Sequence, residues 1–465
     1  MKANESIFGR LAVCAALRRG GGVIGACVFF AFAAFAAPTG LQPNTTAAEP
    51  VQLFSDEQYN YLYNMTQPER SKVLSESKME TSVFCSGSPL TLSWKNSSGT
   101  CTVTVRRLSD GSKFWTGTTS GTSVSVVNLE VGAGYAWTVT DSSGSAEAAF
   151  YTRPEPPRLI KAGTMQMMRD LGGWEGLEGC RIRQNQIFRA GPANNGATVD
   201  DAARDFFFNV VGLRNEIDFR GEKEAADDGK PIKFDSTGDH VTYQLWEIDY
   251  NKIYKTGELS SGKGANFAMS LKLLMNVGQV GRPAYFHCAV GRDRTGTMAA
   301  VLLAVLGVKE DDIVRDYQSS AYKGDDRYDA SYMNGGFKSF LANLAKYKSA
   351  SLSLAENAAE YCKTLGVTDA QIETFRKEML IGYGEPEYWT EEPKYVTATR
   401  ITVKEGKVAE EQYTGFETKK GLCYAWGKDG EAKTQWEEAD GTPLELAKPD
   451  EEDGWSLMVK ESAAN

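Results

Sequence analysis

Histidine is almost missing from this chain: its 465 residues contain two. No Cys-x-x-Cys pair occurs either, so the sequence lacks the spacings from which zinc sites are built, and no metal is expected. A basic excess is also missing. Lys and Arg number 51 against 61 Asp and Glu, a net charge of −10. Phosphate backbones select basic surfaces, so nucleic acid is not an expected partner. Any anionic ligand must then be held by a local cluster of donors. Cysteine is sparse for the length, eight in all, with no dense disulfide framework. What is present is ordinary for folded protein. Hydrophobic residues make up 42% and charged residues 24%, ample for a core, and the length calls for more than one domain.

One long apolar run exists. Lys2, Arg10, Arg18 and Arg19 precede an uncharged stretch from Gly20 to Ala48, centred on Val23–Ala37, with small residues at Ala34-Phe-Ala36. A basic flank, a short apolar run and a small-residue end have the form of a secretory signal. Residues 1–37 are therefore read as a signal peptide and the protein as exported: periplasmic, secreted or at the cell surface. The alternative is an uncleaved anchor, because the run reaches the length of a membrane span. Removal of the segment takes Cys14 and Cys27 and leaves Cys85, Cys101, Cys180, Cys288, Cys362 and Cys423. Of these, Cys85 and Cys101 are the one pair that proximity in sequence brings forward for a disulfide.

Residues 38–80 read as a linker carrying a short helix that begins after Ser55. From 81 to 153 the texture becomes short alternating runs between Ser, Gly and Asn, such as Leu90–Trp94, Cys101–Val105, Ser123–Val127 and Tyr135–Val139. Period-two alternation with turn residues every eight to twelve positions indicates a β-sandwich. Pro154-Glu-Pro-Pro157 forms a stiff boundary. Between 154 and 385, strands at Gly212–Phe219, Val241–Trp246 and Arg282–His287 alternate with helices at Asn266–Val277 and Thr295–Leu306. That alternation implies an α/β domain with a largely parallel sheet and helices on both faces. Phe206-Phe-Phe208 is assigned to core. Residues 386–465 are acidic and β-rich, and the sequence assigns them no role.

The chemistry is concentrated after the third strand, at His287-Cys288-Ala-Val-Gly-Arg-Asp-Arg294-Thr295. A strand, a short loop and a buried helix place the consecutive amides of Ala289, Val290, Gly291, Arg292, Asp293 and Arg294 around one point. That point lies at a helix N-terminus, where free N–H groups and the macrodipole favour an anion. The same field lowers a thiol pKa, so Cys288 is expected to be a thiolate nucleophile. Gly291 lets the loop curl and keeps a side chain out of the cradle. Arg294 can offer a planar fork to two phosphoryl oxygens. Thr295 can donate a hydroxyl to the sulfur. His287 is assigned to organising the loop.

Phe286–Gly296 resembles the signature loop of protein tyrosine phosphatases and their dual-specificity relatives, and within them the bacterial branch marked His-Cys-x-x-Gly-Lys-Asp-Arg-Thr-Gly. The blocks Arg169–Gly173, Ile187–Gly191, Ile217–Arg220, Asp311–Ser319 and Leu365–Arg376 are similar to others of that branch and occur in the same order. Trp94, Leu129…Gly132…Tyr135 and Trp137 resemble a fibronectin type III module, whose usual role is spacing or binding a surface partner. The resemblance implies a phosphocysteine intermediate, no cofactor, and as substrate a phosphorylated protein, a phosphoinositide or an inositol phosphate. Two departures stand out: Arg292 replaces the lysine, and Met168 precedes Arg169 where asparagine is common. The leaving oxygen needs a proton, usually from an aspartic acid. Asp218 falls at the branch's acid and ranks first, while Asp249 holds the chain order of the acid loop in other tyrosine phosphatases. Arg169, Asp170 and Arg220 are read as structural. A non-catalytic surface protein that merely holds phosphate is the competing reading.

Overall fold

The computed structural model describes residues 37–75, 87–165, 167–192, 199–227, 241–249, 254, 264–276, 278, 281–320 and 336–384, with strands beyond residue 387. The apolar N-terminal segment to residue 36, Cys85 and residues 321–335 lie outside the described residues. Two antiparallel sheets come first. One contains β1 (Thr39–Gln42), β2 (Leu90–Lys95) and β5 (Ser123–Val126) in the order β1-β2-β5. The other contains β3 (Cys101–Arg107), β4 (Lys113–Thr119), β6 (Gly134–Asp141) and β7 (Gly144–Tyr151) in the order β4-β3-β6-β7. Alternation does the folding: Cys101, Val103 and Val105 face inward, and the residues between them face outward. Leu92, Trp94, Val126, Tyr135 and Trp137 complete one apolar core between the two sheets, as period-two patterning requires. β1 falls in the stretch read as linker; Thr39 and Gln42 pair with Lys95 and Ser93. Cys101 is a buried free thiol whose sulfur lies 3.2 Å from the Ser97 hydroxyl.

In the chain, a helical arm lies between β1 and β2. Ser55 caps α1 (Asp56–Tyr59) in a capping box with Gln58, as its position predicted. One wide turn (Asn60–Asn64) leads to α2 (Gln67–Ser75).

The second unit is a six-stranded sheet in the order β12-β11-β13-β10-β9-β8. Its strands are β8 (Arg158–Leu159), β9 (Arg169–Asp170), β10 (Ile187–Ala190), β11 (Asn215–Asp218), β12 (Thr242–Leu245) and β13 (Ala284–His287). The four strands β12, β11, β13 and β10 run parallel, and β9 and β8 add antiparallel at one edge. The helices are α3 (Asp201–Asp205), α4 (Glu222–Asp227), α5 (Gly264–Leu274), α6 (Asp293–Val305), α7 (Glu310–Gln318), α8 (Phe337–Leu344), α9 (Leu354–Thr364) and α10 (Asp369–Met379). Helix α6 is buried on every side, which its near-continuous apolar sequence demands.

The two faces of this sheet are covered differently. Ala284 and Phe286 join the core built by α5, α6 and the later helices. Tyr285, Phe188 and Ala190 point the other way, into a core shared with Phe206, Phe207 and the inner residues of the two antiparallel sheets. Phe114 of β4 meets Phe206 edge-on at 6.4 Å. Helical residues thus cover both faces, as expected, but the preceding module closes much of one of them. Pro154–Pro157 accordingly does not separate two free bodies. Beyond it Arg158 is buried, donating to the carbonyls of Leu129 (3.1 Å) and Asn128 (2.5 Å) and to Asp170 (3.0 Å). Gln184 pairs with both backbone groups of Val131, at 3.0 and 2.9 Å. Polar bonds of this kind, made in a desolvated seam, set the register between modules.

Farther on, β15 (Tyr395–Lys404), β16 (Lys407–Thr418), β17 (Gly421–Ala425) and β18 (Trp436–Glu438) form a sequential antiparallel meander, while β14 (Tyr388–Trp389) pairs with β19 (Leu457–Met458).

Candidate active site

Parallel strands leave their carboxyl ends as the place where loops converge. β13 lies between β11 and β10 and ends at His287, so residues 288–292 emerge at the centre of the sheet before α6 begins. Gly291 has φ +73° and donates its N–H to the Cys288 sulfur at 3.3 Å. A Cβ at Gly291 would come within 2.3 Å of the Ala190 carbonyl group. The reason for glycine is therefore the backbone of β10 beneath the loop, not obstruction of the cradle above it.

The Cys288 thiol is 2% exposed, as buried as a core thiol, but its surroundings differ from those of one. Burial pushes its pKa up, but the Arg294 charge, the Thr295 hydroxyl and the amides of Thr295 and Val290 outweigh burial and hold it below the ordinary thiol value. Cys362 provides the contrast: burial, only weakly opposed by the Arg376 charge, pushes it up to about 12. Thr295 Oγ1 is buried and makes no geometrically complete hydrogen bond among the described residues, so its stabilising effect belongs to the thiolate.

Arg294 turns toward the sulfur's surroundings but is not free. Its Nη1 donates to Glu224 Oε2 (2.7 Å) and the Phe219 carbonyl (3.0 Å), and its Nη2 donates to Glu224 Oε1 (2.5 Å). A guanidinium has five N–H donors. Three are engaged by Glu224 and Phe219, leaving on one edge the second Nη2 hydrogen and the Nε–H, which is buried without a partner among the described residues. Two parallel donors on one edge match two oxygens of a tetrahedral anion. Burial works against the Arg294 charge, and Glu224 and Cys288 overcome it and raise its pKa.

Beneath the loop lies a buried ionic layer. Arg189 Nη2 donates to the Gly291 carbonyl at 2.9 Å and its Nη1 to Asp316 Oδ2 at 2.5 Å. Arg169 reaches Asp316 Oδ1 at 2.7 Å, the Asp316 carbonyl at 2.8 Å and Ser320 Oγ at 2.6 Å. Burial brings Arg189 down to about 10. The Asp316 pKa is lowered as well, for a different reason: burial would raise it, but the two guanidiniums hold it below the ordinary carboxyl value. Arg169 is thus structural, as expected, and Asp170 serves Arg158 and the amides of Gly172 (2.8 Å) and Asn185 (2.6 Å).

Asp293 and Arg292 do not face outward. Asp293 Oδ1 accepts from Tyr254 (2.6 Å) and Tyr317 (2.9 Å), and Arg292 Nε lies 3.4 Å from the same oxygen. Arg292 is 2% exposed, so its guanidinium is spent inside the loop.

The two candidate acids differ. Asp218 is buried and fully engaged: Arg220 donates Nη2–H to Oδ2 (2.7 Å) and its amide to Oδ1 (2.9 Å), and Tyr243 donates to Oδ2 (2.8 Å). Burial opposes its charge, yet His287 and Arg220 outweigh burial and bring its pKa to about 2. A proton donor must carry its proton near working pH; the Arg220 ion pair and the depressed pKa speak for Asp218 as an anchor of the β11 end and weigh against its first ranking as the acid. Asp249 is half-buried and follows Ile248, whose amide donates to the Phe219 carbonyl at 3.1 Å. That carbonyl is also the acceptor of Arg294 Nη1. His287, between Glu216 (Nε2 to Oε1, 3.2 Å) and Asp218 (Nδ1 to Oδ1, 3.7 Å), is buried on the far side of the strand. Burial lowers its pKa, and the two carboxylates overcome that and raise it. Both contacts tie this end of β13 to the end of β11.

Sequence reasoning missed Glu224, Arg189, Asp316, Tyr254 and Tyr317. Arg189 carried a signal: an arginine within the apolar strand Ile187–Ala190 demands a buried acid, and Asp316 between Val314 and Tyr317 is the matching demand on a helix.

Residues 161–381 match the family model described as Tyrosine phosphatase family. Among curated proteins, one from Cupriavidus necator, named "Putative tyrosine-protein phosphatase", is 31% identical over 171 residues. The match covers 34% of this chain, and the chain spans 61% of that relative's length. Among solved structures, P. aeruginosa TpbA in complex with pTyr is 14% identical, covering 35% of this chain and 86% of that one, with a TM-score of 0.23. A second TpbA structure is 12% identical, covering 42% and 88%, with a TM-score of 0.20.

Proposed function

We propose that this protein is a cysteine-dependent phosphomonoester phosphatase of the tyrosine-phosphatase type, working through phosphocysteine at Cys288. One observation carries the reading: a thiol held below its ordinary pKa shares its loop with a guanidinium whose one open edge is shaped for two oxygens. In the first step the Cys288 thiolate attacks phosphorus. The P–S bond forms as the bond to the leaving oxygen breaks, and that oxygen takes a proton from Asp249. The three remaining oxygens sit against the loop amides from Ala289 to Arg294 and the open edge of Arg294, a preorganised cradle for developing charge. In the second step Asp249 carboxylate takes a proton from water, whose oxygen bonds to phosphorus. The P–S bond breaks, and the departing thiolate is met by the Thr295 hydroxyl. No cofactor enters.

Arg292 favours a phosphorylated protein over an inositol polyphosphate, because its charge is turned into Asp293 and not toward a headgroup. The antiparallel sheets of three and four strands support the reading of a fibronectin type III-like module, and the basic-then-apolar N-terminus supports export. The test is hydrolysis of p-nitrophenyl phosphate by purified residues 38–465 without divalent ions. Vanadate should inhibit it, and Cys288→Ser should abolish it. A Cys288→Ser variant at the wild-type rate would exclude the mechanism. A panel of phosphotyrosyl peptide, phosphoinositide and inositol hexakisphosphate separates the substrate classes.

A further inference from the structure

The helical arm, residues 55–75, lies in the stretch read as linker, yet it grips one helix of the phosphatase unit by buried polar bonds. Arg70, 2% exposed, donates Nε–H to Gln318 Oε1 at 2.7 Å and Nη1–H to the Met65 carbonyl at 2.6 Å. Gln318, wholly buried, donates to Ser71 Oγ at 3.1 Å, and its carbonyl accepts from the Tyr61 hydroxyl at 3.3 Å. One turn earlier Arg315 donates to the Leu62 carbonyl at 2.9 Å and lies over the Tyr63 ring at 5.1 Å. Residues three apart share a helix face, so Arg315 and Gln318 form the arm-facing side of α7. The two residues between them serve the loop. Asp316 holds Arg189, which holds the Gly291 carbonyl, and Tyr317 holds Asp293. A peptide carbonyl fixed on one side fixes its plane. The Gly291 N–H that points at sulfur belongs to the preceding peptide unit, joined to that plane at the Gly291 Cα, and rotation of α7 about its axis would disturb both.

We infer that the arm is a positioning element for the catalytic loop, acting through Arg70 and Gln318 on the rotation of α7. The inference rests on Cys288 being the nucleophile. An apolar contact would hold α7 against the arm at many angles, whereas a buried Arg–Gln pair with directed bonds selects one. Arg70 touches no substrate and is not catalytic. Its effect passes through α7, Asp316 and Arg189 to the thiolate.

The test uses residues 38–465 with Arg70→Met, the conservative Arg70→Lys, and Arg153→Met as a control. Arg153 stacks on Tyr59 of the same arm at 5.5 Å without touching Gln318. Two readouts are taken: kcat and KM on p-nitrophenyl phosphate, and the rate of iodoacetamide alkylation of Cys288 against pH, followed by peptide mass spectrometry. Arg70→Met should slow Cys288 alkylation at about pH 6 by about three- to tenfold, the range of such long-range couplings. It should lower kcat by a similar factor with KM unchanged, and Arg70→Lys should restore part of both. If Arg70→Met leaves the alkylation profile as in the wild type, the inference falls. It falls equally if Arg153→Met, destabilised to the same extent as Arg70→Met, produces the same loss, since the arm would then matter only through stability. Should Arg70→Met not fold, Tyr61→Phe, which deletes one hydroxyl, carries the same readouts. A wild-type chain with no turnover but an Arg70-dependent alkylation profile would sink the phosphatase reading and keep the coupling.

Discussion

At the residue scale, function depends on which charges are engaged and which are left open. Gly291 is the sharpest case, because its Cβ position is occupied by the Ala190 backbone at 2.3 Å. Gly291→Ala must push the loop off β10 and turn its amide from the sulfur; kcat/KM should fall about 100-fold or more, as when one oxyanion donor is lost. The measurement is steady-state kinetics at unchanged melting temperature. The two aspartates separate by readout. Asp249→Asn should lower kcat on a poor leaving group by about 100-fold or more and remove the basic limb of the pH–rate profile. Asp218→Asn should act on stability instead. The Asp218 carboxyl stands at about 2 in the folded chain against an ordinary 3.8. A depressed folded value means that its contribution is present above the unfolded pKa and is lost as pH falls through about 2. The stability difference between wild type and Asp218→Asn should therefore be about 2 kcal/mol near neutrality and shrink across that acid window, as urea unfolding at stepped pH would measure.

At the scale of elements, α7 is the member on which the loop rests. Its Asp316 neutralises Arg169 and Arg189, all three buried. Asp316→Asn leaves two buried guanidiniums short of a counter-charge, which costs about 3–5 kcal/mol. A large drop in melting temperature should accompany loss of activity. If Asp316→Asn melted like the wild type, the layer beneath the loop would not be the support described. The elements most legible in sequence were those whose pattern is local. The alternating runs became β2, β3, β5 and β6, Ser55 capped its helix, and the apolar run after Arg294 became the wholly buried α6. Strands β4 and β7, with Lys113–Thr119 and Gly144–Tyr151, lacked an apolar alternation strong enough to stand out, and pairing with β3 and β6 makes them strands. β1 has four residues and is a strand because β2 offers it an edge.

At the scale of the whole molecule, the first module is a wall of the second. Its core is continuous with Phe188, Tyr285, Phe206 and Phe207, and Arg158 and Gln184 stitch the seam. The two units should therefore unfold together. Thermal unfolding of residues 38–465 should show one transition by both near-UV circular dichroism and calorimetry. Arg158→Met, which leaves the Asn128 and Leu129 carbonyls without their donor, should lower it by about 1–3 kcal/mol per buried group left unmatched or split it in two. Two transitions in the wild type would mean that the seam is not cooperative.

The amino-acid sequence alone determined the loop of the candidate site, because cysteine, glycine, arginine and threonine lie within eight consecutive residues whose geometry follows from a strand meeting a helix. It likewise determined the alternation of strand and helix around that loop. The tertiary structure decided everything that depends on residues far apart in the chain: the acid beside Arg294, the ionic layer under Gly291, the ionised state of Asp218, and the closing of a sheet face by a neighbouring module. Local pattern reports what a segment can bury, whereas a charge's partner and a pKa depend on what folding brings within a few ångströms, and that distance is not written in the spacing of residues.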